Sequence, residues 1–221
     1  HLAGREKINI GYPPYVLIEP VSTCNLRCPF CFQIDKSFTK KPFMGSMDFD
    51  LFKNIVDEAD NIGVGAITIG SRGEPTLFKK FKEMVEYISA KENIFELKIN
   101  TNGSLLTEEI CHTIFKNNIN QIIVSSDHYI KEKYEKLRVG ANFDKIVKNI
   151  DMLYKIRKKF YPNTLTEIRI SGIDNERNLD RDKFHEFWIK RSDHVTAVFP
   201  IERWDTYNNK INSEINDVCE Y

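Results

Sequence analysis

Six short apolar segments alternate with amphipathic helical patterns along nearly the whole chain, and this alternation limits the fold more than any other feature of the sequence. Strands are expected at Tyr15 to Glu19, Ala66 to Gly70, Glu96 to Asn100, Gln121 to Ser125, Glu167 to Ser171 and Val195 to Phe199. The stretch from Phe49 to Ile62 places Phe52, Ile55, Val56 and Ala59 on one helical stripe, with Asp57, Glu58 and Asp60 largely opposite. A second helix carries Met84, Val85 and Ile88. Others are expected at Thr107 to Asn117, Ile130 to Lys136, Phe143 to Lys159 and Arg181 to Lys190, with Asp48, Thr107 and Asn142 as caps. Strands separated by helices must be joined by crossovers, so the sheet is parallel.

Side-chain parity separates an open layer from a barrel, because successive strand residues face opposite sides. Leu17, Thr68, Lys98, Ile123 and Arg169 share one side with Glu19, Gly70, Asn100, Ser125 and Ser171, while Ile18, Ile67, Ile69, Ile99, Val124, Ile168 and Ile170 take the other. A parallel sheet covered by helices on both faces reads apolar on both, so a polar face points to the lining of a cavity. The expected architecture is therefore α/β, a partial (β/α)6 TIM-like barrel of parallel strands with its site at their carboxyl ends. The chain divides into an extension over 1–14, the barrel over 15–200 and a C-terminal segment over 201–221. Its long polar connections are Asn163 to Thr166 and Gly172 to Asp180.

Composition narrows the partners. Lysine plus arginine total 32 and aspartate plus glutamate total 32 among 221 residues, which leaves no basic field to hold a nucleic acid or an anionic membrane. No apolar run approaches the roughly 20 residues of a membrane span. A small-molecule or peptide substrate is expected instead. The cysteines number five, and Cys24, Cys28 and Cys31 fall within one eight-residue stretch, where structural disulfides would be cramped. A metal site fits better, and thiolates kept for metal imply a reducing, cytoplasmic setting. Cys111 lies in an expected helix and Cys219 at the tail, so no fourth thiol is at hand. Three thiolates could hold an iron–sulfur cluster with one open iron, or a zinc ion completed by His112 or His128.

The Cys-x3-Cys-x2-Cys loop after a first strand resembles the radical S-adenosylmethionine superfamily. Ser71-Arg72-Gly73-Glu74-Pro75 after the second strand resembles its Gly-Gly-Glu-Pro motif, with Arg72 in place of the first glycine. Thr101-Asn102-Gly103, Ser125-Ser126-Asp127 and Leu137-Arg138 before Gly140 resemble, in order, the subgroup that modifies peptides and sugars and carries a cysteine-rich C-terminal auxiliary (SPASM-like) domain. The resemblance implies that Cys24, Cys28 and Cys31 bind three irons of a [4Fe-4S] cluster, whose fourth iron is chelated by S-adenosylmethionine. It also implies that Phe30 presents its backbone to the adenine, that Gly73 permits close approach, and that Glu74 accepts from the methionine ammonium. Ser125 would donate to the ribose or carboxylate, Arg138 would hold the carboxylate, and Ile170 and Ser171 would flank the adenine. The activity so implied is reductive cleavage of S-adenosylmethionine to a 5′-deoxyadenosyl radical, which takes hydrogen from a carbon of a peptide or a sugar or aminocyclitol. That is oxidoreductase-type or epimerase-type chemistry, with electrons from an external donor such as flavodoxin or ferredoxin. The rival reading is a non-catalytic iron–sulfur or zinc module acting as electron carrier or scaffold.

Other residues have no assigned role. Lys98, Arg169 and Glu19 could orient substrate on the polar face or form an internal ion-pair network. Asp127-His128-Tyr129 could relay protons or be solvated, and the segment from Arg203 to Asn209 could close over substrate or cap the barrel. Cys219 is expected to begin the auxiliary domain.

Overall fold

The computed structural model describes residues 11–31, 33, 39–41, 43–175 and 177–199, and within them six strands form one sheet in the order in which the chain makes them. These strands, β1 (Tyr15–Ile18), β2 (Ala66–Ile69), β3 (Glu96–Thr101), β4 (Gln121–Ser125), β5 (Glu167–Ile173) and β6 (His194–Val198), are parallel throughout. Parallel crossovers are right-handed, so strands laid down in chain order put their helices on one side and curl the sheet around the other. A doubly wound layer would need the strand order to reverse. The architecture is thus the partial (β/α)6 barrel, open between β1 and β6, which are not paired with each other.

The registers place the expected faces as read. Leu17 lies beside Thr68 and Thr68 beside Lys98, Ile123 lies beside Arg169, and Ser125 lies beside Ser171, all on the inner face. On the outer face Ile67, Ile69, Ile99, Ile122, Val124, Ile168 and Ile170 are wholly buried in the main core. The helices that cover them are α1 (Phe49–Ile62), α2 (Phe81–Ser89), α3 (Glu108–Lys116), α4 (Lys131–Leu137), α5 (Phe143–Phe160) and α6 (Arg181–Trp188). Each expected cap forms: Asp48 accepts from the amides of Asp50 and Leu51, Thr107 from Ile110, and Asn142 from Lys145. Asp180 caps α6 in the same way, accepting from Lys183 N. Gly63 closes α1 at φ +84°, a conformation that favours glycine.

Two boundaries differ from the expected ones by more than one residue. The segment from Gly172, expected as loop, starts with two more strand residues, because Gly172 and Ile173 pair with Ala197 and Val198 and Asp127 accepts from Ile173 N at 2.9 Å. The last helix stops at Trp188 and tightens into a 3-10 turn over Ile189–Arg191, where the Ser192 hydroxyl donates to Trp188 O at 2.9 Å. Trp188 is fully buried, with Phe187 and Phe143 packed edge-on against its indole at 4.8 and 6.1 Å between ring centroids. Its Nε1 has no hydrogen-bond partner among the described residues. Trp188→Ala is therefore expected to cost about 3–5 kcal/mol in urea denaturation and Trp188→Phe clearly less, since no hydrogen bond is lost with the smaller ring. No helix among the described residues is long and apolar enough to cross a membrane. The divisions at 1–14 and 201–221 fall mostly or wholly outside the described residues, as do Cys219 and the segment from Arg203 to Asn209.

Candidate functional site

The segments that follow β2, β3 and β4 meet around the three-cysteine loop that follows β1. The first lock is Glu19, which directly follows β1. Its Oε1 accepts from Arg72 N at 2.6 Å and Gly73 N at 3.1 Å, and its Oε2 pairs with the Arg72 guanidinium at 3.1 Å. Glu19 is thus spent on holding the turn after β2. Gln33, almost wholly buried, adds a clamp by donating through Nε2 to Ser22 O and Arg72 O. At Gly73 the two loops touch: a Cβ there would lie 1.8 Å from Val21 O. Glu74 N donates to Thr23 O at 2.9 Å, which fixes the turn one residue before Cys24.

The Glu74 side chain is 2% exposed. Its Oε1 accepts from Thr76 N, from the Thr76 hydroxyl and from the Thr101 hydroxyl, the last two at 2.6 Å, while Oε2 accepts from Asn102 N at 2.7 Å. One carboxylate therefore caps the short 3-10 turn at Pro75–Leu77 and ties it to the loop after β3. That loop carries the tie onward. Asn102 Nδ2 donates to Asn25 Oδ1 at 3.0 Å and lies 3.7 Å from Cys24 Sγ, Asn25 Nδ2 donates to the Ser104 hydroxyl at 2.8 Å, and Asn149 of α5 donates to Gly103 O. Leu26 N adds a second N–H to Cys24 Sγ at 3.4 Å.

Arg138 closes the far side. Its Nε donates to Asp127 Oδ2 at 2.7 Å, and the Asp127 side chain is wholly buried. Burial works against the guanidinium's charge, but the Asp127 carboxylate more than offsets it, and Arg138 is held above its ordinary range. The guanidinium lies 5.8 Å from the centre of the Phe30 ring, and Val139 O accepts from Arg27 N at 2.9 Å, so this turn and the cysteine loop dock together. Cys24, Phe30, Gly73, Glu74 and Arg138 are joined by this chain of contacts, and Cys31 N donates to Cys28 O at 2.9 Å within the same loop. Ser125 and Ser171 stand further round the barrel, side by side at the carboxyl ends of β4 and β5.

Two expectations change. Ile170 is wholly buried on the helix-covered face, so its side chain cannot line the barrel. His128 is neither solvated nor placed to relay protons through Nδ1, because that atom accepts from Tyr129 N and Ile130 N, both at 2.9 Å, in a buried ring. Asp127 belongs to the Arg138 pair instead. The clamp formed by Asn25, Asn102, Ser104 and Gln33 was not anticipated. Asn25 and Asn102 each sit inside a quoted motif, but nothing local says that they meet across 77 residues.

The donor set itself fits a cluster. Cys24, Cys28 and Cys31 are free thiols on one loop, and among the described residues no three His, Cys, Asp or Glu side chains converge to hold a single ion. A cluster takes one thiolate per iron, so its cysteines surround a shared space rather than one point. Both histidines that a zinc ion would borrow are engaged elsewhere, His112 with the Tyr161 hydroxyl at 2.9 Å. Burial pushes the Cys28 thiol up to about 11 and raises that of Cys24, so metal binding must displace their protons.

Comparison with known proteins identifies the family and the fold. The family model described as the Radical SAM superfamily matches residues 18–187. A cysteine-type anaerobic sulfatase-maturating enzyme of Clostridium novyi is 32% identical over 200 residues, covering 84% of this chain and 50% of the relative. A GTP 3′,8-cyclase of Desulforamulus reducens is 25% identical over 166 residues, covering 75% of this chain and 50% of the relative. The chain thus spans about half the length of these curated relatives. Among solved structures, Streptococcus suis SuiB bound to S-adenosylmethionine superimposes with a TM-score of 0.69 over 88% of this chain and 42% of the other, at 18% identity.

Proposed function

The chain belongs to the radical SAM superfamily, and from that premise we propose that it is an enzyme of radical chemistry that takes hydrogen from a carbon of a peptide or small-molecule substrate. Its cofactors are the family's, a [4Fe-4S] cluster and S-adenosylmethionine. When bound, they would supply one-electron reductive cleavage of S-adenosylmethionine, and with it a radical able to take hydrogen from carbon, the electron coming from an external donor such as flavodoxin or ferredoxin. The observation that supports the reading is the docking of the segments after β2, β3 and β4 on the loop after β1 that carries three free thiols.

The chain's own residues hold and orient. Cys24, Cys28 and Cys31 take the cluster, with the N–H groups on Cys24 Sγ biasing its sulfur. Glu74 Oε2 carries one bond, from Asn102 N, and has room to accept a second from the methionine ammonium. Arg138 uses Nε on Asp127 and turns its remaining donors to the cofactor's carboxylate. Phe30, Ser125 and Ser171 border the adenosine. The chain's part is to position the target carbon against the radical, so no acid–base dyad is required. A protein or peptide substrate is favoured by the sulfatase-maturating relative, and a small molecule by the cyclase. A cytoplasmic setting suits the four described cysteines, all free thiols.

The test must separate holding the cofactor from holding the fold. Removing Arg138 alone strands a buried carboxylate, so Arg138→Met is expected to lose stability, whereas Arg138→Met with Asp127→Asn removes both charges. The double variant should keep its iron yet bind S-adenosylmethionine about ten- to a hundredfold more weakly in equilibrium dialysis. Chromatography after anaerobic reduction should show 5′-deoxyadenosine from the wild type. A reconstituted, reduced wild type that neither binds S-adenosylmethionine nor forms 5′-deoxyadenosine would hand the chain to the electron-carrier reading.

A further inference from the structure

The inner face of the barrel is polar, and most of its charges neutralise one another. Lys98 pairs with Glu96 at 2.8 Å, Glu167 accepts from Gln121 at 2.9 Å and faces His194 at 3.2 Å, and Glu19 is committed to Arg72. Arg169 is different. It stands on β5 between Ile168 and Ile170, both wholly buried on the helix side, so its own side chain is on the inner face. Among the described residues it makes no ion pair. Its Nη2 donates to the Thr196 hydroxyl at 3.2 Å, and its Nε is buried with no hydrogen-bond partner among the described residues. A buried donor without an acceptor is costly, and Nε is such a donor on a half-buried side chain.

The direction of the side chain says where the missing acceptor belongs. Thr196 pairs in register with Ser171, and Ser171 with Ser125, so by reaching Thr196 the guanidinium leans one row towards the carboxyl ends, where the cysteine loop lies. Three hydroxyl side chains therefore share the inner face with a planar fork of N–H donors. That combination matches an oxyanion, which accepts two parallel hydrogen bonds from the fork and further ones from hydroxyls.

We propose that Arg169 binds an anionic group of the substrate, carboxylate or phosphate, inside the barrel and thereby sets the substrate's orientation. This rests on the enzymatic reading above. Lys98, already paired, has no such role.

The test uses the reconstituted full chain with succinate and inorganic pyrophosphate as probes, titrated calorimetrically in the presence of S-adenosylmethionine. Arg169→Gln is expected to weaken the better probe about ten- to a hundredfold, with S-adenosylmethionine affinity unchanged, and Lys98→Gln to leave the probe affinity alone. Should Arg169→Gln fold poorly, wild-type Arg169 is expected to be protected by the probe from phenylglyoxal, as mapped by mass spectrometry. The proposal is overturned if neither probe binds the wild type at millimolar concentration, or if Arg169→Gln binds both as the wild type does. It is equally overturned if S-adenosylmethionine weakens by the same factor, since the anion is then the cofactor's own carboxylate. Probe binding needs no electron, so a chain that binds the probe through Arg169 but makes no 5′-deoxyadenosine refutes only the catalytic reading.

Discussion

Replacing Cys24, Cys28 and Cys31 together by alanine is expected to bring the iron retained after anaerobic reconstitution from about four atoms per chain to background, with sulfide falling in parallel. The loop should otherwise stay where it is, because its docking depends on other atoms: Arg27 N to Val139 O, Asn25 to Ser104 and Asn102, and Glu74 N to Thr23 O. Of the three cysteines only Cys28 is buried, so little apolar contact is lost. Circular dichroism and thermal melting of the metal-free chain should therefore change little while iron binding disappears. A triple variant that keeps its full complement of iron would show that other residues are the ligands.

Gly73→Ala should produce the largest loss from a single methyl group. A Cβ at this position would sit 1.8 Å from Val21 O, 2.7 Å from Val21 C and 3.0 Å from Ser22 Cα, all backbone atoms that no rotamer change can move aside. Relief requires parting the turn after β2 from the strand that leads into Cys24, which breaks the bonds from Glu19 to the amides of Arg72 and Gly73. The expected cost is about 3 kcal/mol in urea denaturation, accompanied by poor cluster retention. Gly140→Ala is the useful contrast. At φ +93° it strains the backbone, but the nearest atom to its Cβ is Asn25 O at 3.5 Å, so it should cost about 1–2 kcal/mol and leave iron binding largely intact. If the two variants lose iron equally, close approach at Gly73 is not what builds the site.

Much of this architecture could be read in the sequence because its signals are local. The alternation of Leu97, Ile99 and Thr101 with Glu96, Lys98 and Asn100 states which face each residue takes, and it does so within six residues of chain. Caps such as Asp48 and Thr107 are equally local, since each bonds to amides two or three residues ahead. The cysteine array and the Gly-Glu-Pro turn could be found for the same reason. What stayed hidden depends on pairs distant in sequence. By parity alone Glu19 could be a substrate contact, yet it accepts from the amides of Arg72 and Gly73, and Arg169 could belong to an ion-pair network, yet it makes no ion pair among the described residues. Side-chain parity places a charge on a face but does not say what answers it.

The docking of Arg27 N on Val139 O, with Arg138 beside Phe30, also bears on how the protein matures in time. During synthesis each strand–helix unit can dock on the one before it, because strand order follows chain order. The cysteine loop, although among the first segments to emerge, has its last support only when the turn after α4 has been made and has packed against it. A nascent chain shorter than that carries three thiols on an unsupported loop, exposed to oxidation and to stray metal ions. Iron loading is expected to follow the placement of β4 and α4, so a pause in translation before Val139 should lower the iron content of the finished chain without altering a single residue.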